Sequence, residues 1–418
     1  MRIHRAWAVA AVTFLVLLGS AAFRSSYGLM LVPIESDMGW ARSATSLAVS
    51  VNLIFYGLTA PFAAALMERV GIRRVAAGAL LLIAAGTGLT VFMTQAWQLV
   101  VLWGVVAGLG VGATALVFGA LVTNRWFVKD RGLVMGLLGA AFATGQLIFL
   151  PLLATVIEDH GWRSASLIIC AMTLLLIPLV LLVIRDRPSD VGLRPYGADR
   201  TVTEDSPTQG AARRAVSVLS DAMKSRPFWL LAATFFICGW TTNGIVSTHF
   251  VPTGHDHGMS ATMAASMLAV VGIFDIVGTI GSGWLTDRFD PRVLLAVYYG
   301  FRGVALAAVP VILGPSVEPG LVVVMIFMGL DWVATVPPTV SLCRTFYGVE
   351  RGAIVFGWVF AAHMIGAAFA ATTSGILREA NGTYTSSWWL AASLAIAASV
   401  IAWAIPRSRT TEREPAHA

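Results

Sequence analysis

Between its charged residues this chain runs repeatedly through about 20 consecutive apolar residues, the length a helix needs to cross a hydrocarbon layer roughly 30 Å thick. Twelve such stretches lie near 7–34, 45–67, 75–94, 97–124, 132–157, 162–184, 227–251, 260–285, 291–313, 319–343, 352–377 and 387–405. In lipid every backbone N–H and C=O must find its partner within the chain, so these stretches are expected to be helices. Hydrophobic residues make up 57% of the 418 and charged ones only 12%, too apolar a mixture for a soluble domain of this size. The expected fold is all-α and membrane-embedded, twelve transmembrane helices arranged as two six-helix bundles.

Residues 185–226 break the pattern with Asp186, Pro188, Pro195, Pro207, Gly210 and eight basic residues, the composition of an exposed linker. The expected organisation is an N-terminal bundle (1–184), a cytoplasmic linker (185–226), a C-terminal bundle (227–406) and a cytoplasmic tail (407–418). Placing both termini in the cytoplasm puts 23 of the 28 Lys/Arg on the inner side, three outside (Arg42, Arg163, Arg378) and two within helices (Arg24, Arg302). The net charge of +6 therefore reads as cytoplasmic anchoring to the lipid bilayer, and nucleic acid is not an expected partner. Arg2 and Arg5 ahead of an apolar run reaching Ala22 look like a secretory leader. That run is longer than a leader's apolar core and eleven helices follow it, so it is read as the first span.

Two stretches repeat the same text. Glu68-Arg69-Val70-Gly71-Ile72-Arg73-Arg74 follows one apolar segment, and Asp287-Arg288-Phe289-Asp290-Pro291-Arg292 follows another half a chain later. Asp130-Arg131-Gly132 and Glu350-Arg351-Gly352 form a second such pair. Duplicated acid-Arg turns in a membrane-buried chain point to a two-fold repeated transporter. Glu68, Arg69, Arg73, Asp130, Arg131, Asp287, Arg288, Glu350 and Arg351 are read as gating residues, whose pairing between the halves favours one state and must break in the other.

An ionisable group near the bilayer centre costs at least about 2.5 kcal/mol, so a chain keeps one for a partner or a use. Asp275, Arg302, Asp331 and His363 fall in mid-span, and Arg24 somewhat outward of the middle of the first. Two acids and two arginines sum to zero. Arg302 is read as one half of a structural charge pair, reaching Asp275 or Asp331. Asp275 is read as the proton-coupling residue, a buried carboxyl that can trade its proton for a salt bridge. Arg24 is the expected anchor of an anionic substrate, since a guanidinium binds a carboxylate in two places at once.

Around these, Tyr27, Asn243, His249, Asp331, Trp358 and His363 are candidate substrate-binding residues, because cavity walls need hydroxyls, amides, imidazoles and aromatic faces. Pro252 is read as a helix-ending residue near His249. Gly104, Gly108 and Gly112 give the fourth span a smooth face for close helix contact, and Gly132 and Gly136 do so for the fifth. The run Gly254-His255-Asp256-His257-Gly258 has no third ligand of clear spacing, and Cys170, Cys238 and Cys343 fall inside spans. Neither a metal, a disulfide nor any cofactor is expected. With no nucleotide loop and no nucleophile elbow, the chain is not expected to be an enzyme.

Twelve spans in two halves, a long central loop and the acid-Arg turn after the second and eighth spans together resemble the major facilitator superfamily across nearly the whole chain. The run Arg125-Trp126-Phe127-Val128-Lys129-Asp130-Arg131-Gly132, followed by Gly136, Gly139 and Gly145, resembles the signature of its monocarboxylate and oxalate/formate porter branch. The resemblance implies a central cavity lined by the first, fourth, seventh and tenth helices. It implies a basic residue on the first helix, here Arg24, and an acid on the eighth, here Asp275. The branch's substrate-gripping arginine one turn later is Thr279 in this chain. The implied function is secondary active transport of a small organic anion, a monocarboxylate, in symport with protons by a monomer in a bacterial inner membrane. An exporter of drugs or amphipathic metabolites is the alternative.

Overall fold

The computed structural model describes residues 4–198 and 210–407; the middle of the linker and the tail from 408 lie outside the described residues. Among the described residues, ten helices are each long and apolar enough to cross a membrane, and a bent pair, Arg226–Gly244 with Val246–Asp256, makes an eleventh span. The longest, Arg131–Val183, turns at Gly161, whose φ of 78° only glycine adopts readily, so it is two crossings and the count reaches twelve.

Helix 1 comprises Arg5–Ser25 and Tyr27–Met38, helix 2 Arg42–Val70, and helix 3 Ile72–Gly88 with a tight turn Leu89–Phe92. Helix 4 runs from Ala96 to Ala113 and, after an interruption, over Leu116–Trp126. Helices 5 and 6 are the two arms meeting at Gly161. Helix 7 is the bent pair, helix 8 Ala261–Thr286, helix 9 Pro291–Ile312. Helix 10 comprises Pro319–Asp331 and Val336–Tyr347, helix 11 Val349–Asn381, and helix 12 Thr385–Trp403. A short linker helix, Ala211–Ala222, lies against helices 2 and 11.

Helices 1, 4, 7 and 10 are all interrupted in mid-span, at Ser26, at Thr114–Ala115, at Ile245 and at 332–335. A spacing of 219 positions separates Ser26 from Ile245, Thr114 from Val333, and Glu68 from Asp287. The interruptions therefore repeat with the period of the acid-Arg turns, which makes the two bundles copies of one plan. Causes are visible in places. Pro337 and Pro338 lack N–H groups and crowd the carbonyls four residues earlier, so helix 10 cannot run continuously through 333 and 334. In helix 7, Ile245 bonds back five residues to Trp240, leaving the Asn243 carbonyl to the Thr248 hydroxyl at 2.9 Å. Pro252 does not end this helix, which continues to Asp256.

The start of helix 1 and the end of helix 12 lie on one side, here called the terminal side. His4 and Trp7 pack on Tyr196 after helix 6, and Arg292 at the start of helix 9 donates to the Ile405 carbonyl at 3.0 Å. On the opposite, far side a single buried apolar cluster draws on both bundles, from Phe23, Tyr27 and Trp103 to Phe250, Met325 and Trp388. On the terminal side the core is divided, one cluster in each bundle. The buried cores of the bundles are thus fused through the far half of the molecule and separate in the other, where Phe62 of helix 2 still packs on Trp358 of helix 11.

The smooth face of helix 4 lies against helix 2. A Cβ on Gly104, Gly108 or Gly112 would come within about 3 Å of Val51, Phe55 or Thr59. Gly136 differs from its expected role: no atom of the described residues stands within 4 Å of where its Cβ would be, nor of Gly139, Gly281 or Gly283, and the surroundings of Gly132 lie outside the described residues. Those positions on helices 5 and 8 face open space.

Candidate functional site

Four side chains of the interrupted helices converge at mid-depth on the seam between the bundles. Arg24 and Ser25 come from helix 1, Ser247 from helix 7 and Trp332 from helix 10. Gln146 and Leu150 of helix 5 and Leu268 and Val271 of helix 8 complete the walls of the cavity they enclose, which is narrow in this state, about 20 Å³, room for little more than one water. Arg24 is half-buried, with its guanidinium 5.0 Å from the ring centres of both Tyr56 and Phe142. Aromatic faces hold a cation without neutralising it. Among the described residues it has no acidic partner, so its charge is free to meet an anion.

Arg302 and Asp331 are spoken for. The Arg302 Nε donates to Asp331 Oδ2 at 2.5 Å and one Nη to the Asp331 carbonyl at 2.6 Å, while the other Nη contacts Cys238 Sγ at 3.0 Å and Thr241 Oγ1 at 3.4 Å. Of the two acids the sequence offers, the structure brings Asp331 to Arg302. Asp275 accepts from the Thr279 hydroxyl at 3.0 Å and from the Val333 N–H at 3.1 Å, and no cation contacts it among the described residues. The four mid-membrane charges therefore divide into one closed pair, one acid on neutral donors, and one bare guanidinium in the cavity.

The other candidates are dispersed. Tyr27 is buried, donates to Asn52 Oδ1 at 2.5 Å and packs edge-on to Phe23 and Trp103. His363 stacks on Phe360, meets Asn243 Nδ2 at 3.3 Å through Nε2, and keeps Nδ1 buried without a partner. It lies beside the Arg302 cluster, not on the cavity wall. Trp358 is remote from the cavity: it packs on Phe62 and donates to the Ala215 carbonyl of the linker helix at 3.0 Å.

His249 belongs to a far-side network that no local sequence motif announces. Its Nε2 meets the Ala371 carbonyl at 2.8 Å and its Nδ1 the Tyr384 hydroxyl at 3.1 Å. Tyr384 accepts from Arg42 at 2.5 Å, and Arg42 is paired with Glu35. Nearby, the Ser43 N–H donates to Glu379 Oε1 at 2.7 Å and Ser50 Oγ to the Ala368 carbonyl at 2.6 Å. Glu158 at the end of helix 5 takes both the N–H and the hydroxyl of Thr262 on helix 8, at 3.0 and 2.6 Å. The bonds Arg42–Tyr384, Ser43–Glu379, Ser50–Ala368 and Glu158–Thr262 tie the N-terminal to the C-terminal bundle. Asp256 between the two loop histidines pairs with Arg378 at 2.6 Å.

The expected gating residues form no such bond. Glu68 keeps a buried carboxylate oxygen without a partner, and Arg69 and Asp287 stand exposed. Arg73 receives Asp186 at its backbone N–H (3.0 Å); Arg131 bonds to the Phe127 and Asn124 carbonyls. Arg288 lies on its own neighbour Trp284, and Arg351 reaches Asp221 of the linker helix at 3.4 Å. Asp130 caps helix 5 in the left-handed conformation, and the Glu350 side chain lies outside the described residues. Among the described residues, no ion pair joins the two bundles on the terminal side.

Gln146, Ser247 and Trp332 escape a search for charges because they are neutral. Each had a faint marker: Gln146 follows Gly145 of the helix 5 run, Trp332 follows Asp331, and Ser247 sits two residues before His249.

Residues 13–369 match the family model of the Major Facilitator Superfamily. Monocarboxylate transporter 13 of Rattus norvegicus is 28% identical over 385 residues, covering 91% of this chain and 84% of that protein. The oxalate:formate antiporter of Oxalobacter formigenes is 23% identical, covering 96% and 92%. Among solved structures, a D-xylose-proton symporter superposes with a TM-score of 0.71 at 15% identity, over 97% of this chain and 99% of that one.

Proposed function

The chain belongs to the Major Facilitator Superfamily, and on that premise we propose that it carries a small organic anion, a monocarboxylate, across the membrane together with a proton. The observation that carries this reading is Arg24, an uncompensated guanidinium in a cavity bounded by both bundles. In a medium of low dielectric such a charge favours an anion by far more than it would in water, and its planar fork fits a carboxylate. Gln146, Ser25 and Ser247 add neutral donors and acceptors, and Trp332 and Leu268 an apolar wall, suited to a molecule with one charged end.

The terminal side, rich in Lys and Arg, is taken as the cytoplasm. The far-side seal then describes a carrier closed to the outside, with helices 5 and 8 apart on the inside. Alternating access follows if the bonds of Arg42, Tyr384, Glu158 and Thr262 break as the acid-Arg turns at Glu68 and Asp287 come together. Asp275 is the proposed proton-coupling group, a reading supported by its having only neutral donors as partners among the described residues. Relatives named for monocarboxylates and for oxalate and formate support the substrate class.

The test is uptake of radiolabelled formate, acetate, lactate and benzoate into proteoliposomes with and without an inward proton gradient. Gradient-stimulated uptake of at least one acid, reduced roughly tenfold or more in Arg24→Ala, is the expected result. Carboxylate flux undiminished in Arg24→Ala overturns the assignment of the anion site.

A further inference from the structure

The interruption in helix 10 leaves backbone groups at mid-membrane without helical partners, and three side chains take them. Arg302 of helix 9 binds the Asp331 carbonyl at 2.6 Å. Asp275 of helix 8 accepts the Val333 N–H at 3.1 Å. Ser282, two helical turns further along helix 8 and buried, donates to the Ala334 carbonyl at 2.5 Å. Within lipid an unmet backbone group costs several kcal/mol, so each of these bonds has few substitutes.

The residue carried on that turn is Trp332, which faces the cavity beside Arg24. Trp332 is the last residue bonded back into the first segment, to the Gly329 carbonyl at 3.0 Å, and the helical ladder stops beyond it. The aim of its indole is set by what holds residues 331–334. We propose that Trp332 contacts the transported molecule and that Ser282, Asp275 and Arg302 are its positioning residues, a three-point clamp on the interrupted turn that none of them extends into the cavity. Asp275 and Arg302 thereby act on substrate recognition through helix 10 and without touching substrate. This rests on the central cavity being the transport site, and not on which anion occupies it.

The clamp is tested without any substrate. The full-length Trp332→Cys chain is reacted in proteoliposomes with a small water-soluble methanethiosulfonate, and the labelling rate is compared with and without Ser282→Ala; the chain without Trp332→Cys gives the background of the three native cysteines. Ser399→Ala serves as control, because it removes a like hydroxyl-to-carbonyl bond, to Ala296 at 2.6 Å, elsewhere in the same bundle. The expected result is labelling that changes at least threefold with Ser282→Ala and stays constant with Ser399→Ala. Equal rates in all three chains, equal shifts from both serines, or no labelling above background overturns the proposal. Should Trp332→Cys fail to fold, hydrogen exchange at amides 333–335 of the otherwise native chain replaces it: at least tenfold faster exchange with Ser282→Ala alone supports the clamp, and unchanged exchange refutes it. None of these readings depends on carboxylate transport, so the clamp and the anion assignment can fail separately.

Discussion

Arg302 on helix 9 and Asp331 at the end of the first segment of helix 10 form an ion pair closed to solvent, the guanidinium wholly buried and the carboxylate nearly so. The same guanidinium also holds the Asp331 carbonyl, so one side chain neutralises a charge and ends a helix segment at once. Removing one member strands the other charge in the bundle, at a cost of about 3–5 kcal/mol, whereas removing both together is often nearly neutral. Arg302→Met is expected to lower the thermal midpoint in detergent sharply, and Arg302→Met/Asp331→Leu to recover most of the loss. A double variant no more stable than the single one would show that the pair is not a closed unit.

At Arg24 the two conservative questions are charge and shape. Hydrogen bonds to charged groups contribute about 1.5–3 kcal/mol, so Arg24→Ala is expected to reduce carboxylate flux roughly tenfold to a hundredfold. Arg24→Lys keeps the charge but loses the planar fork and is expected to fall between the two. Flux measured in liposomes at fixed substrate decides, and a lysine variant as poor as alanine would make geometry, and not charge, the governing property.

Asp275 has only a hydroxyl and an amide for partners. Replaced by Asn it keeps an acceptor for Val333 but can no longer carry a proton. Asp275→Asn is expected to abolish stimulation of uptake by an inward proton gradient while leaving exchange of labelled for unlabelled anion. Stimulation that persists would move the coupling group elsewhere.

The far-side seal depends on few bonds. Tyr384→Phe removes the hydroxyl shared by Arg42 and His249, each bond worth about 0.5–1.5 kcal/mol or more where a charge takes part. The population of states open on the far side is expected to rise severalfold. Spin labels on Asp159→Cys and Met263→Cys, at the far ends of helices 5 and 8, report it as a longer-distance component. An unchanged distance distribution would place the seal's strength elsewhere, in the fused apolar cluster.

Two glycines offer a contrast in packing. A Cβ at Gly108 would stand 3.0 Å from Phe55 Cβ and 3.1 Å from the Asn52 carbonyl, whereas Gly136 has nothing within 4 Å. Gly108→Val is expected to cost about 1–3 kcal/mol through overpacking, and Gly136→Ala to leave thermal stability unaltered. Unfolding in detergent separates the two.

How much of this could be read from the residues alone follows from which forces act locally. The spans and the repeat were legible because lipid enforces apolar runs and because Glu68 and Asp287 keep their turn chemistry half a chain apart. Arg24 and Asp275 stood out since a charge in a span is always conspicuous. The choice of Asp331 over Asp275 as the partner of Arg302 was not legible, being fixed by how helices 8, 9 and 10 pack. Trp358 shows the converse: its depth along helix 11 suggested a cavity wall, but its rotation about that helix turns it toward Ala215. Cavity residues such as Gln146 and Ser247 are ordinary polar side chains until tertiary packing aims them. The break in helix 10 had a local cause in Pro337-Pro338, and the side chains that satisfy it come from other helices.

Tyr384 lends one phenol to two clients, a guanidinium at the seam and an imidazole in the interior of the C-terminal bundle. Parting the bundles on that face withdraws Arg42 from it, and the vacated lone pair must be wetted at the same instant or left bare. Opening on that face would then need the entry of solvent as well as a swing of helices, and its speed is expected to respond to osmotic stress and to heavy water.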